Sequence, residues 1–230
     1  MPLYNLFPLS ILKEKILLNQ NIKNEMIETI DKMYSNSENI SYKNNQSSWT
    51  GDTQGFEYLL KDKKFNFLLN EVKKKLIEYI KYLGINDNSI QFYLTRSWAT
   101  ISNGKEEITK HKHKQSHISF AYYLKKKETD SNIVFFDESY QNEIIPGIFV
   151  NPTVKRQKVL HQSNFLNAPS IHVDVQEDDI VIFPSKALHG TEPDKINDKR
   201  ISISGDIVCV AKDSKLLENI MPPLENWDKI

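Results

Sequence analysis

The sequence predicts an α+β fold in which N-terminal helices pack on one sheet of a double-stranded β-helix, a cupin-like jelly roll. Two observations carry this. Apolar residues recur at helical spacing as far as Leu83, and from Ile90 the period falls to two. After that switch about eight short strand candidates follow one another up to Val210, with no internal repeat and no linker among them. The 230 residues therefore read as one domain, with 1–89 as mainly helical support, 90–211 as the double-stranded β-helix core and 212–230 as a tail.

Taken in order, residues 3–9 open extended. Ser10 can cap a helix over 10–19, and a second helix over 22–34 puts Met26, Ile27, Ile30 and Met33 on one face. Residues 35–53 are polar and aperiodic, a loop in which Trp49 sits among turn formers. That ring is either a buried anchor or a wall of a substrate site. The strongest helix covers 62–83, where Phe65, Leu68, Leu69, Val72, Leu76, Ile80 and Leu83 share a face opposite Lys73, Lys74 and Lys75. Gly84 supplies its stop. Strands are expected at 90–100, 118–124, 133–136, 144–150, 159–162, 170–175, 179–183 and 200–210. The irregular stretch 142–169 reads as an insertion across the mouth of the barrel. The tail 213–230 offers a short helix and then a Pro222-Pro223 turn.

Composition removes several function classes. Lys plus Arg and Asp plus Glu each total 30, so the basic footprint of a nucleic-acid binder is missing. The apolar N-terminus is broken by Pro2, Pro8, Lys13, Glu14 and Lys15, which is not the pattern of a signal peptide. No apolar run reaches membrane-spanning length. The single cysteine, Cys209, can form no internal disulfide and suits a reducing compartment. The expectation is a cytoplasmic protein with neither nucleic-acid nor membrane partners. A homodimer through the N-terminal helices is compatible with the sequence and not required by it.

The chemistry is expected around Lys110-His111-Lys112-His113. On extended backbone, side chains at i and i+2 leave the same face, so both imidazoles point one way. Such a pair alone is weak evidence, because exposed strands carry it by chance. Three features strengthen it here. An apolar, aromatic strand, His117 to Leu124, follows the pair at once. His189 follows the apolar run Asp179-Ile-Val-Ile-Phe-Pro184, on a loop from which a third imidazole could swing inward to a transition metal. Eleven positions later comes Arg200-Ile-Ser202, where a buried guanidinium can take a carboxylate bidentately and Ser202 adds a hydrogen bond from the same face.

The combined pattern is Trp98…Gly104…His111-x-His113…Tyr122-Tyr123-Leu124, then Asp178-Asp-Ile-Val-Ile-Phe-Pro-Ser185…His189, then Arg200-Ile-Ser202. It resembles the iron(II)/2-oxoglutarate-dependent oxygenases over roughly 49–208, and within them a branch with an HxH and a "YYL" strand, related to the prolyl hydroxylases. The resemblance implies a double-stranded β-helix, Fe(II), 2-oxoglutarate and O2. It makes His111 and His189 iron ligands, and gives the distal carboxylate of 2-oxoglutarate to Arg200, assisted by Ser202 and Tyr123. One ring of the pair Tyr122 and Tyr123 is expected to face the core and the other outward.

Two departures stand out. The superfamily usually has Asp or Glu where this chain has His113, so His113 is the expected third ligand, with Asp137 and His117 as alternatives. Phe120 stands where the branch usually has glycine, and its ring is expected to narrow the pocket. The implied activity is oxidative attack on a C–H bond of a protein side chain, prolyl-hydroxylase-like, or of a small molecule. Trp49 and Trp98 are candidate substrate contacts. Two rivals use the same fold: a non-catalytic binding or assembly module, and a three-histidine cupin dioxygenase that needs no 2-oxoglutarate.

Overall fold

The structure is a computed structural model that describes residues 4–36, 48–49, 57–103, 106–150, 159–193, 199–213 and 219–230, without the side chains of Asn36, Ser48, Trp49 and Asn103. The elements in order are β1 (Leu12–Lys15), α1 (Gln20–Asn36), β2 (Ser48–Trp49), α2 (Asn66–Tyr82), β3 (Ile90–Asn103), β4 (Ile118–Lys125), β5 (Ile133–Phe136), β6 (Ser170–Val173), β7 (Asp179–Pro184), β8 (His189–Thr191) and β9 (Lys199–Ala211). They form a major sheet, β1-β7-β4-β9-β3-β2, and a minor sheet, β6-β5-β8. Every pairing of named strands is antiparallel. This is the double-stranded β-helix; its first long strand starts at the expected Ile90, and its last ends at Ala211, one residue past the expected limit of that strand.

The major sheet is buried on both faces. Ile180 and Ile182 of β7, Ile118 and Tyr122 of β4, Ile201 and Ile203 of β9, and Ala99 and Ile101 of β3 join Met26 and Ile30 of α1 and Leu68, Val72 and Leu76 of α2 in one core. Each fully buried aliphatic side chain there contributes about 1.5–3 kcal/mol. On the opposite face Val181, Phe183 and Tyr123 pack with Ile133 and Phe135 of the minor sheet. The period of two thus sends one set of side chains to the helices and the other into the space between the sheets.

A bulge decides which residues of β3 reach that space. Leu94 pairs with Ile207 and Arg96 with Asp206, so Thr95 is an extra residue. Phe92 and Leu94 pack toward the helices. Beyond Thr95 the phase flips, and Arg96, Trp98, Thr100 and Ser102 occupy the face toward the minor sheet. The Thr95 hydroxyl donates to the Asp206 carbonyl at 3.1 Å, pinning the extra residue.

Several expectations give way. Residues 12–15 are not helical: β1 adds to the sheet edge on β7, where Lys13 and Lys15 both pair with the buried Asp179. Tertiary pairing overrides the local helix signal there. The helix near 22–34 forms as α1, and its buried Lys23 pairs with Asp178 at 3.0 Å and with Glu177. The helix expected at 62–83 begins with a 3₁₀ turn, Lys63–Phe65, capped by Asp62, before α2. Gly84 ends it at φ +74°, the left-handed value that favours glycine. Residues 144–150 form turns and 159–162 no strand, whereas the three-residue β8 was not foreseen. In the tail a 3₁₀ turn, Leu224–Asn226, follows the two prolines, and most of the stretch expected to carry a short helix before them lies outside the described residues. Most of the loop 35–53 lies outside the described residues.

Candidate functional site

His111, His113 and His189 come together, with one ring nitrogen from each lying within 4.8 Å of the others. The backbone arranges this. His111 and His189 exchange hydrogen bonds in an antiparallel bridge, N–H to O at 2.9 and 3.1 Å. Thr191 N–H donates to the Ile108 carbonyl at 3.0 Å, and its hydroxyl accepts from Ile108 N–H at 2.9 Å. The segment carrying His111 is therefore strapped onto β8 as a further strand of the minor sheet. His113 N–H donates to the Ser185 carbonyl at 3.0 Å, which ties it to the end of β7. His189 thus sits within a strand, not on a loop.

Each ring is locked through Nδ1. His111 Nδ1 donates to the Thr109 carbonyl at 2.8 Å, His189 Nδ1 to the Ala187 carbonyl at 2.9 Å and His113 Nδ1 to Asp206 Oδ1 at 2.5 Å. Carbonyls and carboxylates only accept, so Nδ1 carries the proton in all three and each Nε2 lone pair is left for a metal. Burial pushes His189 down to about 3, helped by the neighbouring His111, and burial also lowers His111. Neutral rings are what a metal needs.

The Nε2 atoms of His111 and His113 are 3.0 Å apart. Two lone pairs at that distance repel unless a cation lies between them. That spacing is one at which both nitrogens would share a single metal ion. The donor set therefore fits a transition metal.

The rings open onto a cavity of about 420 Å³. Its lining includes Trp98, Thr100, Tyr123, Arg200 and Ser202. Arg200 is 2% exposed. Its Nη1 donates to the Ser131 hydroxyl at 2.6 Å and carbonyl at 2.9 Å, and its Nη2 to Ser102 Oγ at 3.0 Å. Ser202 is Arg200's neighbour on that face and Tyr123's cross-strand partner. Burial raises the Tyr123 phenol, keeping it a neutral donor. Trp98 stacks on the His113 ring, centroids 5.6 Å apart, and lies under the Arg96 guanidinium at 5.0 Å. Trp49 pairs in backbone register with Thr100, but its side chain lies outside the described residues.

Neither alternative for the third ligand belongs to the histidine cluster. Asp137 is exposed and accepts from the N–H and hydroxyl of Ser139. His117 is exposed and its Nδ1 accepts from Cys209 N–H at 2.9 Å. Tyr122 and Tyr123 are both buried, because the sheet is covered on both sides. Tyr122 serves the helix side, donating to Asp178 at 2.8 Å. Phe120 borders the cavity, and its ring packs against Gly205, its cross-strand partner, within the core under the helices.

One residue escaped the sequence reading altogether. Asp206 is fully buried at the end of the cavity face of β9. Besides His113 it accepts from Arg96 Nη2 at 2.9 Å, Ser119 Oγ at 3.0 Å and Gln115 Nε2 at 3.4 Å. Burial pushes its carboxyl up, but the bonds from His113, Arg96 and Ser119 outweigh that and hold it below the usual carboxylate value. The available signal was its spacing, six residues after Arg200 and so on the same strand face.

Residues 96–206 match the family model described as "Putative 2OG-Fe(II) oxygenase". No curated protein matches the chain in sequence. Several solved structures are similar to it. The non-heme alpha ketoglutarate dependent epimerase SnoN from nogalamycin biosynthesis has a TM-score of 0.58 at 11% identity, over 96% of this chain and 88% of that one. HygX from Streptomyces hygroscopicus, with nickel and 2-oxoglutarate bound, has a TM-score of 0.54 at 9% identity, over 87% and 83%. A Pseudomonas putida prolyl-4-hydroxylase has a TM-score of 0.51 at 11% identity, over 87% and 92%. At these identities the likeness establishes a shared fold. Among the described residues no helix is long and apolar enough to cross a membrane.

Proposed function

We propose that this chain is a 2OG-Fe(II) oxygenase, as the match of residues 96–206 to that family model supports, and that it hydroxylates a C–H bond of a protein side chain or of a small molecule. His111, His113 and His189 hold a ferrous ion through Nε2. Arg200 grips the distal carboxylate of 2-oxoglutarate, with Ser202 and Tyr123 adding hydrogen bonds. Bound there, iron and 2-oxoglutarate supply the oxidising chemistry: O2 and 2-oxoglutarate are consumed, succinate and CO2 leave, and C–H becomes C–OH.

The protein's own work is positional. The Nδ1 bonds fix each tautomer, and the backbone bridge between His111 and His189 fixes their separation. A buried guanidinium binds a carboxylate far more strongly than an exposed one, because water does not screen it. Trp98 walls the cavity beside His113 and shields the reacting end from water. The observation that carries the proposal is the shared cavity, which presents three inward lone pairs and a buried guanidinium together.

Anaerobic titration with Fe(II) and 2-oxoglutarate tests it. The complex should develop a weak visible charge-transfer band, and admitting O2 should release succinate. His189→Ala should abolish both signals. Iron binding without succinate release would overturn the 2-oxoglutarate assignment and favour a three-histidine dioxygenase that works without it.

A further inference from the structure

We infer that Asp206 is the carboxylate of this metal site, set one imidazole away from the ion instead of on it. The inference rests on the metal reading above. A ferrous ion held by two histidines and a carboxylate keeps one net positive charge, and one held by three neutral imidazoles keeps two. His113 replaces the carboxylate here, yet the ring is hydrogen-bonded to one: Asp206 Oδ1 lies 2.5 Å from His113 Nδ1. Counting Asp206, the site returns to one net positive charge, with the ring as the conductor of the electron density.

The placement favours this role. Asp206 is 0% exposed, and a buried carboxylate is retained only when fully partnered. Its two oxygens divide the work. Oδ1 takes His113 and Ser119, while Oδ2 takes Arg96 and Gln115. The Arg96 side chain is 26% exposed, so water weakens its opposing charge, whereas the bond to His113 is buried. The bulge at Thr95 sets Arg96 directly opposite Asp206 and leaves the other oxygen to the histidine.

A merely orienting partner would be replaceable by an amide, and a charged one would not. The test is anaerobic Fe(II) titration of wild type, Asp206→Asn, His113→Asp and the double variant. Asp206→Asn keeps shape and an acceptor oxygen. It should weaken iron binding about 10–100-fold in the wild-type background and not at all with Asp at 113, where the carboxylate is already on the ion. Equal losses in both backgrounds, or binding within about twofold of wild type, would overturn the inference. Arg96→Gln, which removes the opposing cation and leaves Asp206 intact, should tighten binding; looser binding would count against it even if Asp206→Asn fails to fold. If wild type itself binds no iron, the metal reading fails first.

Discussion

Replacing Gly190 with alanine drives a wedge into the seam that holds two of the three histidines. A Cβ at this position would lie 2.7 Å from the Ile108 carbonyl oxygen and 3.3 Å from the Lys110 nitrogen and the Thr109 carbonyl carbon. All three are backbone atoms, so no rotamer change relieves them. Ordinary contact begins at 3.4 Å, and the seam must open by about 0.7 Å. The hydrogen bonds crossing it run from 2.9 to 3.1 Å, and such an opening breaks or badly stretches them. At about 0.5–1.5 kcal/mol each, losing two costs about 1–3 kcal/mol. That lowers Tm by about 2–12 °C for a chain of this size. Because the seam also sets the His111–His189 separation, iron affinity should fall about 10–100-fold. Paired thermal melts and anaerobic Fe(II) titrations would measure both. A variant that melts and binds iron like wild type would refute the claim that β8 positions the His111 segment.

Other perturbations separate the parts of the site. Arg200→Ala should leave iron binding intact and raise the KM for 2-oxoglutarate about 10–100-fold, the loss of a charge-assisted contact of about 1.5–3 kcal/mol; succinate-release kinetics decide it. Gly205→Ala puts a Cβ 2.6 Å from the buried Phe120 ring and 3.0 Å from the Arg96 carbonyl oxygen and should cost about 1–3 kcal/mol, a cost that Phe120→Leu in the same chain relieves in part in urea melts. Lys23→Met should destabilise by about 1–3 kcal/mol, because it leaves Asp178 without the ammonium that α1 brings to it. Chelating the metal from a sample at a hundred times Kd should remove about 2.7 kcal/mol of stability, visible as a lower Tm with unchanged far-ultraviolet circular dichroism at 25 °C.

The parts of the site that depend on chain spacing were legible. His111 and His113 lie two apart on extended backbone, and Arg200 and Ser202 do the same on β9. Period two is local and survives folding. What long-range pairing decides could not be read. Residues 12–15 carry Leu, Lys and Glu, which suit a helix, and become a strand only because β7 offers an edge. β8 is three residues long with a central glycine, too short for any periodicity, so His189 looked like a loop residue. Asp206 reads as an ordinary charged residue until β3 and β4 are laid beside it. Phe120 could not be judged without Gly205, which lies far along the chain and directly across the sheet.

Thr95 sets the phase of β3. Deleting it would scarcely shorten the strand, and pairing with β9 could continue along its length. The two halves, however, would fall into step, turning a guanidinium, an indole and two hydroxyls into the aliphatic layer under the helices while an alanine and an isoleucine took their places beside the histidines. Length can therefore vary at the ends of β3 with little consequence, but an indel of a single residue at its middle exchanges lining for filling.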